Sequence, residues 1–334
     1  MTVNIIDPHL HLFNRSRGDY HWLKSKNPPF WLDKQIIQRD FSVDDLTIEQ
    51  TGTSSDRSTG KKKVNLAGFI HIEAGFDNEQ PWRELEYIES IEYQNMSAKS
   101  FRTIACVNLL SAPETFKQTL NSFSPYKSLI GVRHILDEEA CSILVSHNAQ
   151  QNFAYLNSIK DFIFELQLPL ATKALTSKAS DKSILNIMTL LTQTIKDNNQ
   201  LRFIINHAGF PPKQTHCDAW RLWANKISEL AEYPNVYIKC SGLEMSDRNY
   251  TMSWFSQVTE YCLRQFSVDR VMIASNFPLC LLSEKLSNKC YSDYWHHVLA
   301  STVIKQCSQN EKNALLYGNA LRIYRMSNFI ASSG

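Results

Sequence analysis

Ile5-Ile6-Asp7-Pro8-His9-Leu10-His11-Leu12-Phe13 is the stretch that decides the fold of this chain. Two β-branched residues lead into a His-x-His pattern, which is typical of a strand that ends in a polar loop. Because side chains alternate across a strand, His9, His11 and Asp7 are predicted on one face. Two imidazoles at the end of a strand can hold a divalent metal ion or polarise a carbonyl substrate. Incidental polar residues would give the same pattern, so the rest of the chain has to decide.

Seven more apolar segments follow, and predicted helices separate them. The strands are predicted at 64–73, 101–109, 129–136, 161–168, 201–207, 236–241 and 270–274. The helices are predicted at 82–96, 112–123, 141–160, 184–198, 220–232, 251–266, 291–307 and 310–325, with a helix start at 41–46. Eight strands that alternate with helices predict an α/β fold, a (β/α)8 TIM barrel with a single domain over residues 1–334. An open doubly wound sheet is the alternative, weakened because no glycine-rich dinucleotide loop follows any strand.

Two long loops interrupt this pattern. Loop 14–40 is rich in aromatic residues and prolines, which either cap an edge of the core or form a wall of a ligand pocket. We predict that this loop is a lid over the site. Loop 51–63 is polar and ends in three lysines, and it is predicted to be exposed.

Composition limits the partners and the compartment. The 35 Lys and Arg residues nearly balance the 33 Asp and Glu residues, so neither nucleic acid nor a membrane is expected as a partner. A small-molecule substrate is expected, and a homo-oligomer stays open. The 8 cysteines are scattered without a CxxC pair, as expected for reduced thiols in a cytosolic protein. No secretory signal pattern or membrane-length apolar run is present, so a cytoplasmic location is predicted.

Polar and charged side chains collect near the carboxyl ends of the predicted strands. They are His9, His11, His71, Glu73, Arg133, His134, Glu165, Gln167, His207, Lys239 and Asn276. In a TIM barrel these ends converge on the active site. Five of the chain's 10 histidines are in this set, which indicates function rather than loop solvation.

Seven segments, spread over nearly the whole chain, carry a recognisable pattern. They are His9-Leu10-His11-Leu12-Phe13 with Tyr20-His21-Trp22-Leu23, His71-Ile72-Glu73-Ala74-Gly75, Gly131-Val132-Arg133-His134, Asn206-His207-Ala208-Gly209, Tyr237-Ile238-Lys239-Cys240-Ser241-Gly242, Ala274-Ser275-Asn276-Phe277-Pro278 and Tyr317-Gly318-Asn319-Ala320. In this order they resemble the amidohydrolase superfamily. The branch they resemble is the amidohydrolase-related one, with L-fuconolactonase-like and 2-pyrone-4,6-dicarboxylate lactonase-like hydrolases.

This resemblance implies hydrolysis of a lactone, or of another cyclic ester or amide that bears a carboxylate, by activated water at the barrel mouth. It implies that His9, His11 and His207 bind a divalent metal, Zn or Mn, or polarise the substrate carbonyl, with His9 and His11 as the first metal ligands. Arg133 is suited to a substrate carboxylate. The other predicted substrate-binding residues are Trp22, Glu73, His134 and Lys239.

The chain departs from the family on strand eight, where Asn276 replaces the aspartate that serves as the base. A neutral amide can orient a water but cannot accept its proton. An active hydrolase then needs another base, and Glu165, Glu73 and His207 are the candidates. The alternatives are a pseudoenzyme that binds a small molecule without turnover and, more remotely, a structural protein. A metal-independent mechanism stays open, since strand five carries Glu165 and Gln167 instead of a histidine or carbamylated lysine.

Overall fold

Eight parallel strands form one nearly closed barrel in the computed structural model, which describes residues 2–49, 64–94, 100–171 and 187–326. The strands are β1 (Val3–Leu10), β2 (Val64–Ile72), β3 (Ser100–Cys106), β4 (Leu129–Arg133), β5 (Ile163–Leu166), β6 (Arg202–Ile205), β7 (Val236–Cys240) and β8 (Val271–Ile273). Each strand pairs with the next in sequence. A parallel bridge between Leu10 and Phe277 returns the chain to β1, and the His11 N–H donates to the Phe277 carbonyl at 2.6 Å. The predicted TIM barrel is confirmed.

Helices surround the barrel, in shorter pieces than the sequence predicts. They are α1 (Trp82–Gln94), α2 (Pro113–Ser122), α3 (Ala140–Val145), α4 (His147–Ser158), α5 (Ile187–Asp197), α6 (Asp218–Ala231), α7 (Met252–Phe266), α8 (Tyr291–Ala300), α9 (Thr302–Gln306), α10 (Gln309–Asn313) and α11 (Asn319–Ile323), with one π-helical turn at Ala314–Gly318. The predicted helix 141–160 breaks at Ser146, whose extended backbone lets its hydroxyl cap α4. Ser301 is likewise extended and separates α8 from α9. The start predicted at 41–46 is a single 3-10 turn capped by Ser42.

The strands end earlier than predicted on the side where the polar residues lie. Gln167, His207 and Asn276 therefore stand just beyond β5, β6 and β8. His207 and Asn276 have left-handed backbones, with φ of 54° and 61°. The chain turns at these two residues instead of continuing outward as a strand, which places their side chains over the barrel mouth.

The amino end of the barrel is closed by the carboxyl-terminal segment. Isoleucines on the strands, such as Ile6 and Ile163, pack with Ile323, Tyr324 and Met326 in one apolar cluster. A larger apolar cluster fills the space between the strands and the outer helices. Polar strand-end residues can therefore meet solvent only at the carboxyl end.

Loop 14–40 folds against the barrel mouth, and Lys34 links distant parts of the loop to one another. The Lys34 ammonium donates to the carbonyls of Trp22, Lys24 and Asn27 at 2.9, 3.2 and 2.8 Å. The Trp22 indole N–H donates to the Ala74 carbonyl just after β2 at 2.8 Å. Such contacts make the loop a fixed wall of the mouth.

Some predictions fall outside the described residues. They are the exposed loop 51–63 and the ends of two predicted helices, at 95–96 and 184–186. No helix within the described ranges is long and apolar enough to cross a membrane.

Candidate active site

A cavity of about 1000 Å³ opens at the carboxyl ends of the strands. Seven of the ten predicted site residues line it: His11, Trp22, Glu73, Arg133, His134, His207 and Asn276. Three predicted site residues, His9, Glu165 and Lys239, do not line it and are fully buried. The strand-end residues thus separate into a cavity wall and a layer beneath its floor.

The layer beneath the floor is held together by a buried ion pair. The Lys239 ammonium donates to Glu165 Oε2 at 2.7 Å, and the Tyr324 hydroxyl donates to Glu165 Oε1 at 2.6 Å. Burial lowers the pKa of Lys239 to about 8 even though Glu165 opposes this shift. Both carboxylate oxygens of Glu165 are therefore occupied, and its expected role as a base has no geometric support. Lys239 does not line the cavity, so its expected contact with substrate has no geometric support either.

His11 is the histidine whose geometry is best defined at the cavity. Its Nδ1 lies 2.8 Å from the Ile72 carbonyl, which can only accept, so Nδ1 carries the proton and Nε2 a lone pair. Burial, and next the Arg133 cation, hold the pKa of His11 well below its usual value. The ring is therefore neutral, with an acceptor nitrogen available at the cavity.

His207 reaches the cavity from a tight turn after β6. The Trp223 indole N–H donates to the Ala208 carbonyl at 2.7 Å and fixes this turn. His207 Nδ1 lies 3.1 Å from the Ser241 hydroxyl. Gly242 is required beside it, because a Cβ at that position would lie 2.2 Å from His207 Nδ1 and its φ is +61°. Burial lowers the pKa of His207 well below its usual value, so this ring is neutral too.

Arg133 forms the charged part of the cavity wall. Its Nε–H donates to Glu73 Oε1 at 2.6 Å, and its other nitrogens donate to the Glu73 carbonyl at 2.7 Å and to Gln167 Oε1 at 3.0 Å. Guanidinium has five N–H donors, so two remain for a ligand. Beside it, His134 Nδ1 accepts from the Leu109 N–H at 3.1 Å, which leaves His134 Nε2–H as a donor.

Asn276 has a buried partner that the sequence did not reveal. Its Nδ2 donates to Glu244 Oε1 at 2.7 Å, and both side chains are about 1% exposed. Burial raises the pKa of Glu244 to about 7. Glu244 lies in the loop after β7, where an acidic residue is usually solvated. Nothing in its local sequence distinguishes it, and only the fold brings it to Asn276.

Two other polar residues of the first strands are structural. Asp7 accepts from the Ser275 hydroxyl at 2.5 Å and from the Tyr291 hydroxyl at 2.9 Å, which ties β1 to the segment after β8. Burial raises the pKa of Asp7 to about 6. His71 is fully buried, and its Nε2 lies 2.9 Å from Glu84 Oε1.

The arrangement of the histidines does not fit a divalent metal site. The His9 ring centroid lies 5.1 Å from that of His11 and 4.6 Å from that of His207. However, His9 Nδ1 lies 3.4 Å from the Lys239 ammonium, which can only donate, so the proton of a neutral His9 ring is on Nε2. A ligand nitrogen would need a lone pair there. Among the residues that the structure describes, no group of three or more His, Cys, Asp or Glu side chains could hold a metal ion. The His9–His11 metal site that the sequence predicts is therefore not shown by the described residues and stays a prediction.

Comparison with known proteins shows which proteins this chain resembles. Residues 164–326 match the amidohydrolase family, a segment that runs from β5 to the closing carboxyl-terminal segment. Over this segment, just under half of its length, the chain is similar to the amidohydrolases. This confirms the resemblance that the sequence motifs indicate. An uncharacterized protein, y4mH, from Sinorhizobium fredii is 25% identical over 338 residues, which cover 97% of this chain and 99% of that protein.

Solved structures share the fold of this chain over nearly its whole length. An amidohydrolase from Burkholderia multivorans with bound zinc has a TM-score of 0.69 at 19% identity and covers 96% of this chain and 99% of its own. A putative 2-pyrone-4,6-dicarboxylic acid hydrolase from Pseudomonas putida has a TM-score of 0.60 at 14% identity, covering 98% and 99%. A 5-carboxyvanillate decarboxylase from Sphingomonas paucimobilis has a TM-score of 0.57 at 12% identity, covering 98% and 100%. At these identities the likeness concerns the fold.

Proposed function

We propose that this protein hydrolyses a lactone, or a related cyclic ester or amide, that carries one carboxylate. The observation that carries the proposal is the His11 ring, which is held by the Ile72 carbonyl at 2.8 Å and lines the cavity. A neutral imidazole with one nitrogen fixed and the other free is the usual form of a general base. The family match supports hydrolysis as the reaction class.

Water activation is assigned to His11 and Asn276 together. The His11 Nε2 lone pair accepts the proton as water attacks the ring carbonyl, which forms the C–O bond of a tetrahedral intermediate. The intermediate collapses by breaking the ring C–O bond, and His11 returns the proton to the departing alkoxide. Its low pKa favours this return, and the product is the open hydroxy acid. Asn276, which cannot be a base, accepts a hydrogen bond from the same water.

The carbonyl oxygen of the substrate needs donors from the cavity wall. In the tautomer in which the Ser241 hydroxyl donates to His207 Nδ1, the His207 Nε2–H is free to donate to this oxygen. His134 Nε2–H is a second donor on the wall. Hydrogen bonds from neutral imidazoles stabilise the developing oxyanion without a charged partner in the site.

The charges around the cavity favour a substrate with a single carboxylate. The two remaining N–H donors of Arg133 suit one carboxylate. Glu73 already neutralises the Arg133 charge, and Glu79 and Asp137 also line the cavity as further acids. A second carboxylate would meet these acids without a free cation among the described lining residues.

No step of this mechanism runs through a metal, because the donor set does not fit one. The zinc in the Burkholderia multivorans structure belongs to that protein. The alternative of a pseudoenzyme that binds a small molecule without turnover gains no support from the contacts or the comparisons. Decarboxylation, the activity named for the Sphingomonas paucimobilis relative, is the reaction class that the test below must separate from hydrolysis.

The test measures ring opening and CO₂ release for matched lactones with no, one or two carboxylates. We expect ring opening, with the highest kcat/KM for the monocarboxylate, and no CO₂. Arg133→Met should raise KM for the monocarboxylate about tenfold to a hundredfold, because this substrate loses a charged hydrogen-bond partner. KM for the neutral lactone should stay nearly unchanged. Exposed Arg39→Met is the control. CO₂ release, or no ring opening of any lactone, would refute the proposal.

A further inference from the structure

We infer that Glu244 is a positioning residue, which holds the Asn276 amide with Nδ2 toward Glu244 and leaves Oδ1 as a buried acceptor beside the cavity. The inference rests on the proposed hydrolysis, in which Asn276 shares the attacking water with His11. It adds a residue that neither the sequence motifs nor the family match singles out. Three observations lead to it: the orientation of one hydrogen bond, the fixed backbone of Asn276 and the anchoring of Glu244.

The hydrogen bond selects one orientation of the amide. The two ends of an Asn side chain differ, since Nδ2 donates and Oδ1 accepts. Asn276 Nδ2 makes the 2.7 Å contact with Glu244 Oε1, which is the donor that an ionised carboxylate requires, and Glu244 is mostly ionised above its pKa of about 7. Within the described part of the chain, Asn276 Oδ1 has no hydrogen-bond partner, although the residue lines the cavity. Oδ1 is therefore a buried acceptor without a partner, which a ligand or a water in the adjoining cavity can satisfy.

The backbone of Asn276 leaves the side chain as its only adjustable part. The Asn276 N–H donates to the His9 carbonyl at 2.8 Å, and the Asn276 carbonyl accepts from the Cys280 N–H at 3.2 Å. The φ of +61° is one that asparagine tolerates better than most residues. With both main-chain groups paired, rotation of the amide is what remains, and Glu244 controls it.

Glu244 is itself held by a residue that reaches loop 14–40. Arg248 Nη1 donates to the Glu244 carbonyl at 2.5 Å, and Arg248 Nε donates to Asp33 Oδ2 at 2.7 Å. The Arg248 guanidinium also lies 5.0 Å from the centroid of the Trp31 ring, which lines the cavity. Glu244 Oε2 has no hydrogen-bond partner among the described residues. Asn276 thus supplies the side-chain hydrogen bond to this buried carboxyl, beside the Glu244 N–H and the nearby Arg248 charge.

Two acceptors at the cavity suit one water molecule. Water has two O–H donors, and His11 Nε2 and Asn276 Oδ1 can each accept one of them. A water held in this way has its lone pairs directed away from both residues, toward the substrate. A reversed amide would present Nδ2–H and compete with this water for His11 Nε2. Glu244 therefore contributes to kcat without touching the substrate.

The experiment observes the amide itself and does not depend on turnover. The protein is labelled with [¹⁵N]asparagine, and the Asn276 side-chain signals are assigned by their loss in Asn276→Asp. In the wild type we expect one Asn276 Nδ2 proton to resonate downfield and to exchange slowly with solvent. Its chemical shift and exchange rate should be similar in Glu244→Gln. In Glu244→Met both should be those of a solvent-exposed asparagine amide. Unchanged amide signals in Glu244→Met would overturn the inference. Circular dichroism verifies that each variant is folded.

Kinetics on the monocarboxylate lactone supply the second measurement. Glu244→Met should lower kcat about tenfold to a hundredfold with KM within about threefold, and Glu244→Gln, which keeps an acceptor, should recover most of it. The matched control is Glu284→Met, because Glu284 is exposed and accepts from the Asn249 amide in a similar acid–amide pair. An equal kcat in Glu244→Met and wild type would overturn the inference. If the wild type opens no lactone while the amide signals respond as expected, the proposed function fails and the positioning stands.

Discussion

At the scale of single residues, the site is defined by which atoms are already bonded. Glu165 looks like a base in sequence, but Lys239 and Tyr324 occupy its oxygens. In sequence, Asn276 indicates that the base is missing. In the structure, its amide contacts the buried carboxyl of Glu244, 32 positions earlier in the chain. Partners distant in sequence decide both roles, so no local pattern could have revealed them. The residues that line the cavity could be predicted, because barrel geometry alone brings strand ends together.

Restoring the family's aspartate is expected to destabilise this protein. Asn276→Asp would place two buried carboxyl groups in contact, so one must stay protonated. Burial already raises the pKa of Glu244 to about 7, and a raised carboxyl pKa means stability that is present at low pH and lost as pH rises through the folded-state value. The second carboxyl raises this value further. We expect Asn276→Asp to lose about 2–4 kcal/mol relative to wild type between pH 5.5 and pH 8.5.

Urea unfolding at the two pH values measures this loss. The matched control is the double variant Glu244→Gln with Asn276→Asp, which has one carboxyl at the pair and should lose less. If Asn276→Asp is as stable as wild type at both pH values, the two side chains are not in contact.

At the scale of elements, loop 14–40 illustrates what a sequence can and cannot predict. Its aromatic residues indicate a cover for an apolar surface, and Trp22 and Trp31 do line the cavity. Its internal order could not be predicted, because it depends on one buried lysine and three main-chain carbonyls of the same loop. The broken helices have a similar cause. Periodicity continues across Ser146, and its cap, which only the structure reveals, divides the segment.

Removal of the Lys34 ammonium should make the backbone of this loop less ordered. Lys34→Met keeps the apolar stem and leaves three carbonyls without their donor, at a cost to local stability of about 2–3 kcal/mol. Amide hydrogen exchange should become faster over residues 22–38, and KM for the lactone should rise. Exposed Lys26→Met in the same loop is the control. Protection equal to wild type in Lys34→Met would show that other contacts hold the loop.

At the scale of the whole molecule, the barrel brings the carboxyl ends of its strands together around one cavity. Eight strands with helices between them could be predicted from the alternation of apolar segments, and so could the mouth at which polar residues gather. The separation of that mouth into a cavity wall and a buried layer could not, because it depends on Tyr324, which enters from the closing carboxyl-terminal segment. His9 is in the first motif of the chain and yet lies beneath the floor.

One measurement tests most directly whether His11 activates water without a metal. It is kcat/KM for the monocarboxylate lactone after exhaustive chelation, in wild type, His11→Ala and the exposed control His21→Ala. We expect chelated wild type and His21→Ala to keep the full kcat/KM. In His11→Ala, kcat/KM should fall about a hundredfold to ten-thousandfold. Activity that disappears on chelation and returns with zinc, or His11→Ala as active as wild type, would contradict it.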